Sequence, residues 1–219
     1  MGPADGRDQE PRRQLPPGMQ EQLDLAGIST FGQRPFLTDP EQLDAWQPDV
    51  ILSCVFGQVI DQSIIDRPPY GIYNFHPTDL EHGFGAGPTP AEDMAAKGLT
   101  STVWTIHHVI EALDSGGIVA VSPEINCANL AGRLPTDPLV VYDKLVEPVG
   151  VLAAGLIDTL WRRYEARRPG KLERIDLDAA LPASVRGRMQ EPIRAERHVV
   201  LLPVFELKHL EQFSGPSIR

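Results

Sequence analysis

Three side chains whose chemistry fits acyl transfer to an amine lie in two short segments of this sequence. Asn74 and His76 belong to Asn-Phe-His-Pro-Thr, and Asp114 belongs to Leu-Asp-Ser-Gly-Gly. Such a transfer needs a hydrogen-bond donor for the oxyanion and a base for the proton of the amine. It also needs a group that holds the base in the right protonation state. An amide, an imidazole and a carboxylate supply these three functions.

Both segments also have a purely structural interpretation. An Asn-x-His pair after a strand often caps and packs the chain, and Asp-Ser-Gly-Gly is an ordinary turn. The placement of both segments at strand ends favours the catalytic interpretation, because open α/β sheets bind ligands at the carboxyl ends of their strands.

The strands that must position these residues follow from hydrophobic patterning. Residues 49–56 form an almost continuous apolar run, which is typical of a strand covered on both faces. Residues 70–75 predict a second strand that ends at the Asn-x-His segment. Residues 100–109 and 118–125 predict two more strands, joined by the Asp-Ser-Gly-Gly turn.

Helices are predicted between and after these strands. Asp39 is typical of a helix N-cap, and short helices are expected at 60–65 and 90–97. Apolar residues recur at helical spacing from 137 to 168, which predicts a long amphipathic helix kinked at Pro148. The fold class predicted from these elements is α/β, with a mostly parallel sheet flanked by helices.

Three regions are predicted along the chain. Residues 1–18 are polar and rich in Pro and Gly, which indicates a disordered lead-in. Residues 19–168 form the predicted catalytic domain, and residues 169–219 form a C-terminal extension with a candidate strand at 198–203.

Bulk properties exclude several classes of protein. A chain of 219 residues with a net charge of −10 can bury one substantial core and is poorly suited to a large nucleic acid. The basic cluster at 162–168 fits a solvated helix end. No segment has the roughly 20 apolar residues that span a bilayer, and no signal peptide is recognised. Cys54 and Cys127 are expected to be buried reduced thiols. We therefore expect a cytoplasmic protein.

The segment 49–85 resembles the 10-formyltetrahydrofolate-dependent formyltransferases, which include the methionyl-tRNA, glycinamide ribonucleotide and amino-sugar enzymes. Asn74-Phe-His-Pro-Thr78 matches the family's Asn-x-His-Pro-Ser motif. Leu113-Asp-Ser-Gly116 matches its later Asp turn, and residues 105–109 resemble the strand before that turn. The resemblance covers residues 20–165 and implies a partly Rossmann-like catalytic domain.

The resemblance implies a role for each of the three polar residues. Asn74 would donate its side-chain N–H to the oxyanion formed when the amine attacks the formyl carbon. His76 would pair with that oxyanion or carry the proton of the amine. Asp114 would orient the imidazole, favour its cation and relay protons through water.

The formyl donor implied by the resemblance is 10-formyltetrahydrofolate, with its pterin between two loops. Apolar slots with a few backbone hydrogen bonds suit flat heteroaromatic rings. The same residues could instead belong to the core. The cofactor-binding residues implied are Phe56, Gly57, Gln58, Val59, Ile60, Ile110, Glu111, Ala112 and Leu113.

Two other motifs are assigned no chemistry. The glycines at 83, 85 and 87 lack the strand and helix context of a nucleotide-binding loop and indicate close backbone approach to a substrate. His107 and His108 are adjacent in a predicted strand and so point to opposite faces. No metal site is predicted.

The sequence departs from the family in two places. Only about 48 residues precede Asp49, whereas one strand-helix-strand unit takes roughly 30 or more, so the first strand-helix unit is expected to be missing. A misassigned start, a partner or oligomer that covers the sheet, or a reduced fold would each explain this. In the acceptor loop, Asp79, Glu81 and Phe84 replace Leu, Pro and a basic residue, which argues against a phosphate-bearing acceptor.

The predicted function is formyl transfer from 10-formyltetrahydrofolate to an amine of a small molecule, either an amino sugar nucleotide or a secondary-metabolite amine. Hydrolysis of the same donor is the first alternative, since water could replace the amine. A truncated, non-catalytic protein that binds folate or a partner is the second.

Overall fold

The part of the chain that the structure describes contains a four-stranded sheet, in the order Ile51–Cys54, Ile72–His76, Thr105–His108 and Ile118–Val121, beside a two-stranded sheet. The computed structural model describes residues 43–45, 47–54, 59–84 and 90–194. The strands are β1 (Ile51–Cys54), β2 (Ile72–His76), β3 (Ser101–Thr102), β4 (Thr105–His108), β5 (Ile118–Val121) and β6 (Ile125–Asn126).

Helices flank the four-stranded sheet, and the predicted α/β class is confirmed. They are α1 (Gln62–Ile65), α2 (Pro90–Ala96), α3 (Pro138–Glu165) and α4 (Ala183–Gln190), with 3-10 turns at Leu80–His82 and Asp178–Ala180. The carboxylates of Asp61 and Asp137 cap α1 and α3 by accepting backbone N–H bonds. Among the described residues, no helix has the length and apolarity needed to cross a membrane.

The prediction of a mostly parallel sheet is wrong for the described strands. β1 and β2 are parallel, whereas β2–β4 and β4–β5 are antiparallel. The turn between β4 and β5 is too short for the crossover that a parallel pair requires. The connection after β2 returns to the same end of the sheet, where Thr105 pairs with His76. Continuous burial of a strand does not report its direction, so the apolar runs misled the prediction.

Two predicted strands are each divided in the structure. Residues 100–109 become β3 and β4, and residues 118–125 become β5 and β6. Between β5 and β6, Ser122 donates its hydroxyl to the carbonyl of Pro123 and accepts the backbone N–H of Trp104. Pro123 itself has no N–H for a ladder, so the chain turns away from the first sheet here.

The sheet separates two apolar clusters. Tyr73, Phe75 and Ile106 face the large cluster, which includes the buried side of α3. Ile72 faces a small cluster completed by Leu43, Ile60, Ile64 and Ile65. Because side chains alternate along a strand, Asn74 and His76 share the face of Ile72.

Residues 169–194 pack against the larger cluster. The Leu172 backbone N–H donates to the Tyr73 hydroxyl at 2.9 Å, and the Ile175 N–H donates to the Val119 carbonyl at 2.7 Å. Apolar residues of this segment are buried in the same cluster, namely Leu172, Leu177, Leu181, Val185, Met189 and Ile193. The predicted lead-in at 1–18 and the candidate strand at 198–203 lie outside the described residues. Of the 48 residues before Asp49, where the first strand-helix unit is expected to be missing, the structure describes only 43–45, 47 and 48.

Both cysteines are free thiols, but their surroundings differ. Cys127 is buried, and desolvation raises the pKa of its thiol to about 12. Cys54, at the end of β1, is exposed, so its predicted burial is wrong. An edge position explains this, since Cys54 pairs only with Phe75 among the described strands.

Candidate active site

Asn74, His76 and Asp114 lie together, with one carboxylate oxygen at the centre. Asn74 Nδ2 lies 3.5 Å from Asp114 Oδ1, at the outer limit of a hydrogen bond. His76 Nδ1 lies 3.7 Å from the same oxygen. The three residues singled out from the sequence therefore surround one point, and their catalytic roles stay a prediction.

The turn after β4 holds Asp114 in a left-handed conformation. Its φ is 49°, a region that Asp tolerates better than most residues. Ser115 closes the turn by donating its hydroxyl to the Leu113 carbonyl at 2.8 Å. A Cβ on Gly116 would lie 1.7 Å from the His108 carbonyl oxygen. Only glycine permits that close approach, which explains why the turn contains glycine at this position.

His107 is a fourth polar side chain at this point. It pairs with Asn74 in the β2–β4 register, so the two side chains lie next to each other. Its Nε2 lies 3.2 Å from Asn74 Nδ2 and 3.6 Å from Asp114 Oδ1. Its Nδ1 lies 2.9 Å from the His108 carbonyl, which can only accept a hydrogen bond.

Sequence reasoning did not include His107 in the site. The adjacent pair His107-His108 shows that one of the two faces each side of the sheet, but not which one. The register of β4 against β2 decides it, with Asn74 opposite His107 and Tyr73 opposite His108. The predicted hairpin could have indicated His107, because a chain reversal at Asp114 brings the nearby residues of β4 close to the turn.

All four side chains are nearly buried. Asn74 is 8% exposed, His76 5% and His107 2%, and the side chain of Asp114 is 7% exposed. Hydrogen bonds and charge interactions are stronger in such a setting than in water. The cluster can therefore place a donor, a base and a carboxylate around developing charge.

A small cleft of about 30 Å³ opens next to this cluster. Its walls include Val59 and Leu113, which are 63% and 54% exposed, and Ile110, which is 38% exposed. Exposed apolar side chains beside buried polar groups suit a flat, largely apolar ligand. The cleft is lined by Ser53, Val59, Ile60, Asn74, His107, Val109, Ile110, Glu111, Ala112, Leu113 and Asp114.

The predicted cofactor residues are distributed in two ways. The stretch 110–113 and the pair Val59 and Ile60 line the cleft, although Ile60 is buried and also belongs to the small apolar cluster. Phe56, Gly57 and Gln58 lie outside the described residues, as do Gly85 and Gly87 of the glycine-containing loop.

Metal ligation finds no support in the arrangement of the described side chains. No group of three or more His, Cys, Asp or Glu with the geometry of a metal site occurs among them. His108 is directed to the other side of the sheet, where its Nε2 donates to the Leu172 carbonyl at 2.7 Å.

Comparison with known proteins identifies relatives of this region. Residues 38–128 match the formyl transferase family. A methionyl-tRNA formyltransferase of Chloroflexus aurantiacus is 32% identical over 70% of this chain and 51% of its own length. One of Syntrophus aciditrophicus is 36% identical over 47% of this chain and 35% of its own length. The chain thus spans about a third to a half of these curated relatives.

Solved structures give a weaker likeness. Glycinamide ribonucleotide transformylase 1 from Geobacillus kaustophilus is 21% identical with a TM-score of 0.44, covering 61% of this chain and 72% of that one. The similarity to the formyl transferase family thus extends over residues 38–128, which contain the Asn-x-His segment, His107 and the Asp114 turn.

Proposed function

We propose that this protein transfers a formyl group from 10-formyltetrahydrofolate to the amine of a small molecule. The single observation that carries the proposal is the convergence of Asn74, His76 and His107 on one oxygen of Asp114, beside an open cleft. A shared carboxylate surrounded by an amide donor and an imidazole suits proton transfer during attack on a carbonyl.

In the proposed reaction, the proton lost by the amine is transferred through His76 to N10 of tetrahydrofolate. The amine nitrogen attacks the formyl carbon, and Asn74 Nδ2 donates a hydrogen bond to the resulting oxyanion. His76 accepts the proton of the amine while Asp114 stabilises the imidazolium. The C–N10 bond then breaks, and the proton passes to N10 of tetrahydrofolate. The products are the formylated amine, which contains the new C–N bond, and tetrahydrofolate.

The exposed apolar side chains beside the cleft would contact one face of the pterin of the donor. Val59, Ile110 and Leu113 offer exposed apolar surface, and the loop 110–113 offers backbone groups for the edge of the ring. Burial of these exposed side chains would contribute roughly 25 cal/mol per Å² of apolar surface removed from water.

The acceptor is a small molecule rather than a nucleic acid. An amino sugar nucleotide and a secondary-metabolite amine are the two candidate classes. A second cavity of about 190 Å³ begins at Thr78, two residues after His76, and contains Asp79, Asp93 and Glu124 against Lys97. Its volume suits a small group, and its acidic balance disfavours a phosphate. These features favour a secondary-metabolite amine over a nucleotide.

The decisive assay incubates the purified chain with 10-formyltetrahydrofolate and a panel of amines. The panel contains amino sugar nucleotides, small diamines and amino acids. Release of tetrahydrofolate together with a product 28 mass units heavier, the mass of an added CO, is the expected result. Formate without a formylated amine would identify hydrolysis instead. Tetrahydrofolate binding without any turnover would identify a binding protein.

A matched pair of variants assigns the turnover to the site. Asp114→Asn removes the charge of the central carboxylate and keeps its shape. Asp158→Asn makes the same change at a half-exposed surface position, where Asp158 pairs with Arg162. We expect loss of turnover in the first variant and wild-type turnover in the second. Equal activity of the two variants would contradict the assignment.

A further inference from the structure

We infer that His107 is a positioning residue, which holds the Asn74 amide with its nitrogen directed toward Asp114 and the cleft. The inference rests on the proposed formyl transfer. It assigns to His107 neither contact with substrate nor carriage of a proton.

The hydrogen bond from the ring of His107 determines its tautomer. Its Nδ1 lies 2.9 Å from the His108 carbonyl oxygen, so Nδ1 must carry the proton that makes this hydrogen bond. In the neutral ring, Nε2 is then an acceptor with its lone pair in the ring plane. The carbonyl is itself held by the turn, because Gly116 packs directly against it.

The two polar neighbours of the Asn74 side chain determine the orientation of its amide. Asn74 Nδ2 lies between two acceptors, His107 Nε2 at 3.2 Å and Asp114 Oδ1 at 3.5 Å. Rotation of the amide by half a turn would place Oδ1 against both of them. Two acceptors facing a third are repulsive, so the neutral ring and the carboxylate together select the orientation with nitrogen inward.

This orientation of the Asn74 amide has a cost in stability. Asn74 Oδ1 is buried and has no hydrogen-bond partner among the described residues. An unsatisfied buried carbonyl destabilises a protein by about 1–3 kcal/mol. The orientation is therefore maintained against a penalty, and the two hydrogen bonds from Nδ2 are what maintain it.

The two contacts of Asn74 Nδ2 differ in length, and this difference matters for catalysis. The 3.5 Å contact to Asp114 is the weaker, so its N–H is the one that a formyl oxygen can take over. The 3.2 Å contact to His107 remains and keeps the amide in place. His107 thus acts through Asn74, before and during the reaction.

Two substitutions at this position separate orientation from proton transfer. His107→Gln places an amide oxygen near the position of Nε2, and that oxygen can accept from Asn74 Nδ2. His107→Phe fills similar space without an acceptor. We expect kcat to fall about 10²-fold in the Phe variant, at the lower end of the loss for an oxyanion donor. We expect kcat within about tenfold of wild type in the Gln variant, a smaller change than the roughly 10²-fold or more expected for loss of a proton carrier.

The expected changes concern kcat rather than substrate binding. In the Phe variant, kcat should fall by a larger factor than the changes in KM for the donor and in the Kd of tetrahydrofolate measured by calorimetry. The pH profile of the Gln variant should keep the wild-type shape. Equal loss of kcat in the Gln and Phe variants would overturn the inference, since it would indicate that His107 carries a proton.

A double-mutant cycle gives the second, independent readout. If His107 acts through Asn74, His107→Phe should have no further effect on the residual kcat of Asn74→Ala. Multiplicative losses would overturn the inference. Thermal unfolding of each variant shows whether a lower kcat results from a less stable fold. The cycle is read under conditions in which all variants are folded, and it then shows whether His107 acts through Asn74. Failure of the proposed function is distinct, because the wild-type chain itself would then not transfer a formyl group.

Discussion

The two faces of β2 and β4 are built from neighbouring residues and serve different purposes. On one face, Asn74 and His107 lie beside Asp114 at the cleft. On the other, Tyr73 and His108 lie with ring centroids 5.0 Å apart, next to the apolar cluster under α3. One step along the chain therefore separates the proposed chemistry from the structural core.

The adjacent histidines show what makes the difference. Both rings use one nitrogen to donate to a backbone carbonyl, His107 to that of His108 and His108 to that of Leu172. The second nitrogen of His107 faces the Asn74 amide, whereas His108 Nδ1 is buried without a partner among the described residues. What the second nitrogen contacts decides whether a buried histidine belongs to a site or to a scaffold.

The largest expected effect tests the polar face. Asp114→Ala removes the oxygen shared by Asn74, His76 and His107, and turnover should fall by at least the 10²–10⁴ typical of a lost acid–base group. The chain should stay folded, because the turn keeps Gly116 and Ser115, but its melting temperature should fall by a few degrees, since Ala tolerates the φ of 49° less well than Asp does. Near-native turnover would contradict the catalytic assignment of this face.

The next effect tests the apolar face. Phe75 is 2% exposed and lies between Asn74 and His76 in β2. Phe75→Ala should reduce the free energy of unfolding by about 3–5 kcal/mol, as buried Phe-to-Ala changes do. Chemical denaturation measures this loss. At low temperature, where the variant is folded, its kcat should remain close to wild type. A lost kcat at full folding would show that the two faces are not separable.

The smallest effect concerns His108 and pH. Burial holds the pKa of His108 below its usual 6.5. The unfolded chain therefore binds more protons than the folded chain as pH falls below 6.5. This contribution to stability is complete above that pH and is lost progressively on acidification toward the lower, folded-state pKa.

His108→Gln isolates the pH effect. The Gln amide can still donate to the Leu172 carbonyl, but it does not titrate. We expect the difference in unfolding free energy between wild type and variant to be constant above pH 6.5 and to shift in favour of the variant below it. A difference independent of pH would show that His108 is not the titrating group.

The sequence was sufficient for the residues whose context is local. The strand end at Asn74 and His76 and the turn at Asp114 are marked by residue types within a few positions, and the structure brings them together. Helix α3 was predicted within a few residues, because its apolar spacing persists over many turns. The acceptor and the cofactor contacts stay predictions.

What escaped prediction depends on pairing between distant segments. The antiparallel direction of β4 is set by its register against β2, which no local pattern encodes. The same register brings His107 to Asn74. The packing of residues 169–194 was also missed, because single apolar residues in a polar, irregular stretch give no periodic signal.

The strap formed by residues 170–175 has a practical consequence for anyone expressing this protein. It satisfies the buried Tyr73 hydroxyl and His108 Nε2, both on the strands that carry the site. A chain shortened to residue 168 would keep every residue of the proposed catalytic cluster. The Tyr73 hydroxyl would still donate to the Tyr70 carbonyl but would lose the Leu172 N–H, and His108 Nε2 would lose its acceptor. A loss of activity in such a fragment would then result from the missing contacts of residues 170–175 with β2 and β4, and not from a missing catalytic residue. We therefore expect the smallest active fragment to include residues 170–175, although they lie far in sequence from Asn74 and Asp114.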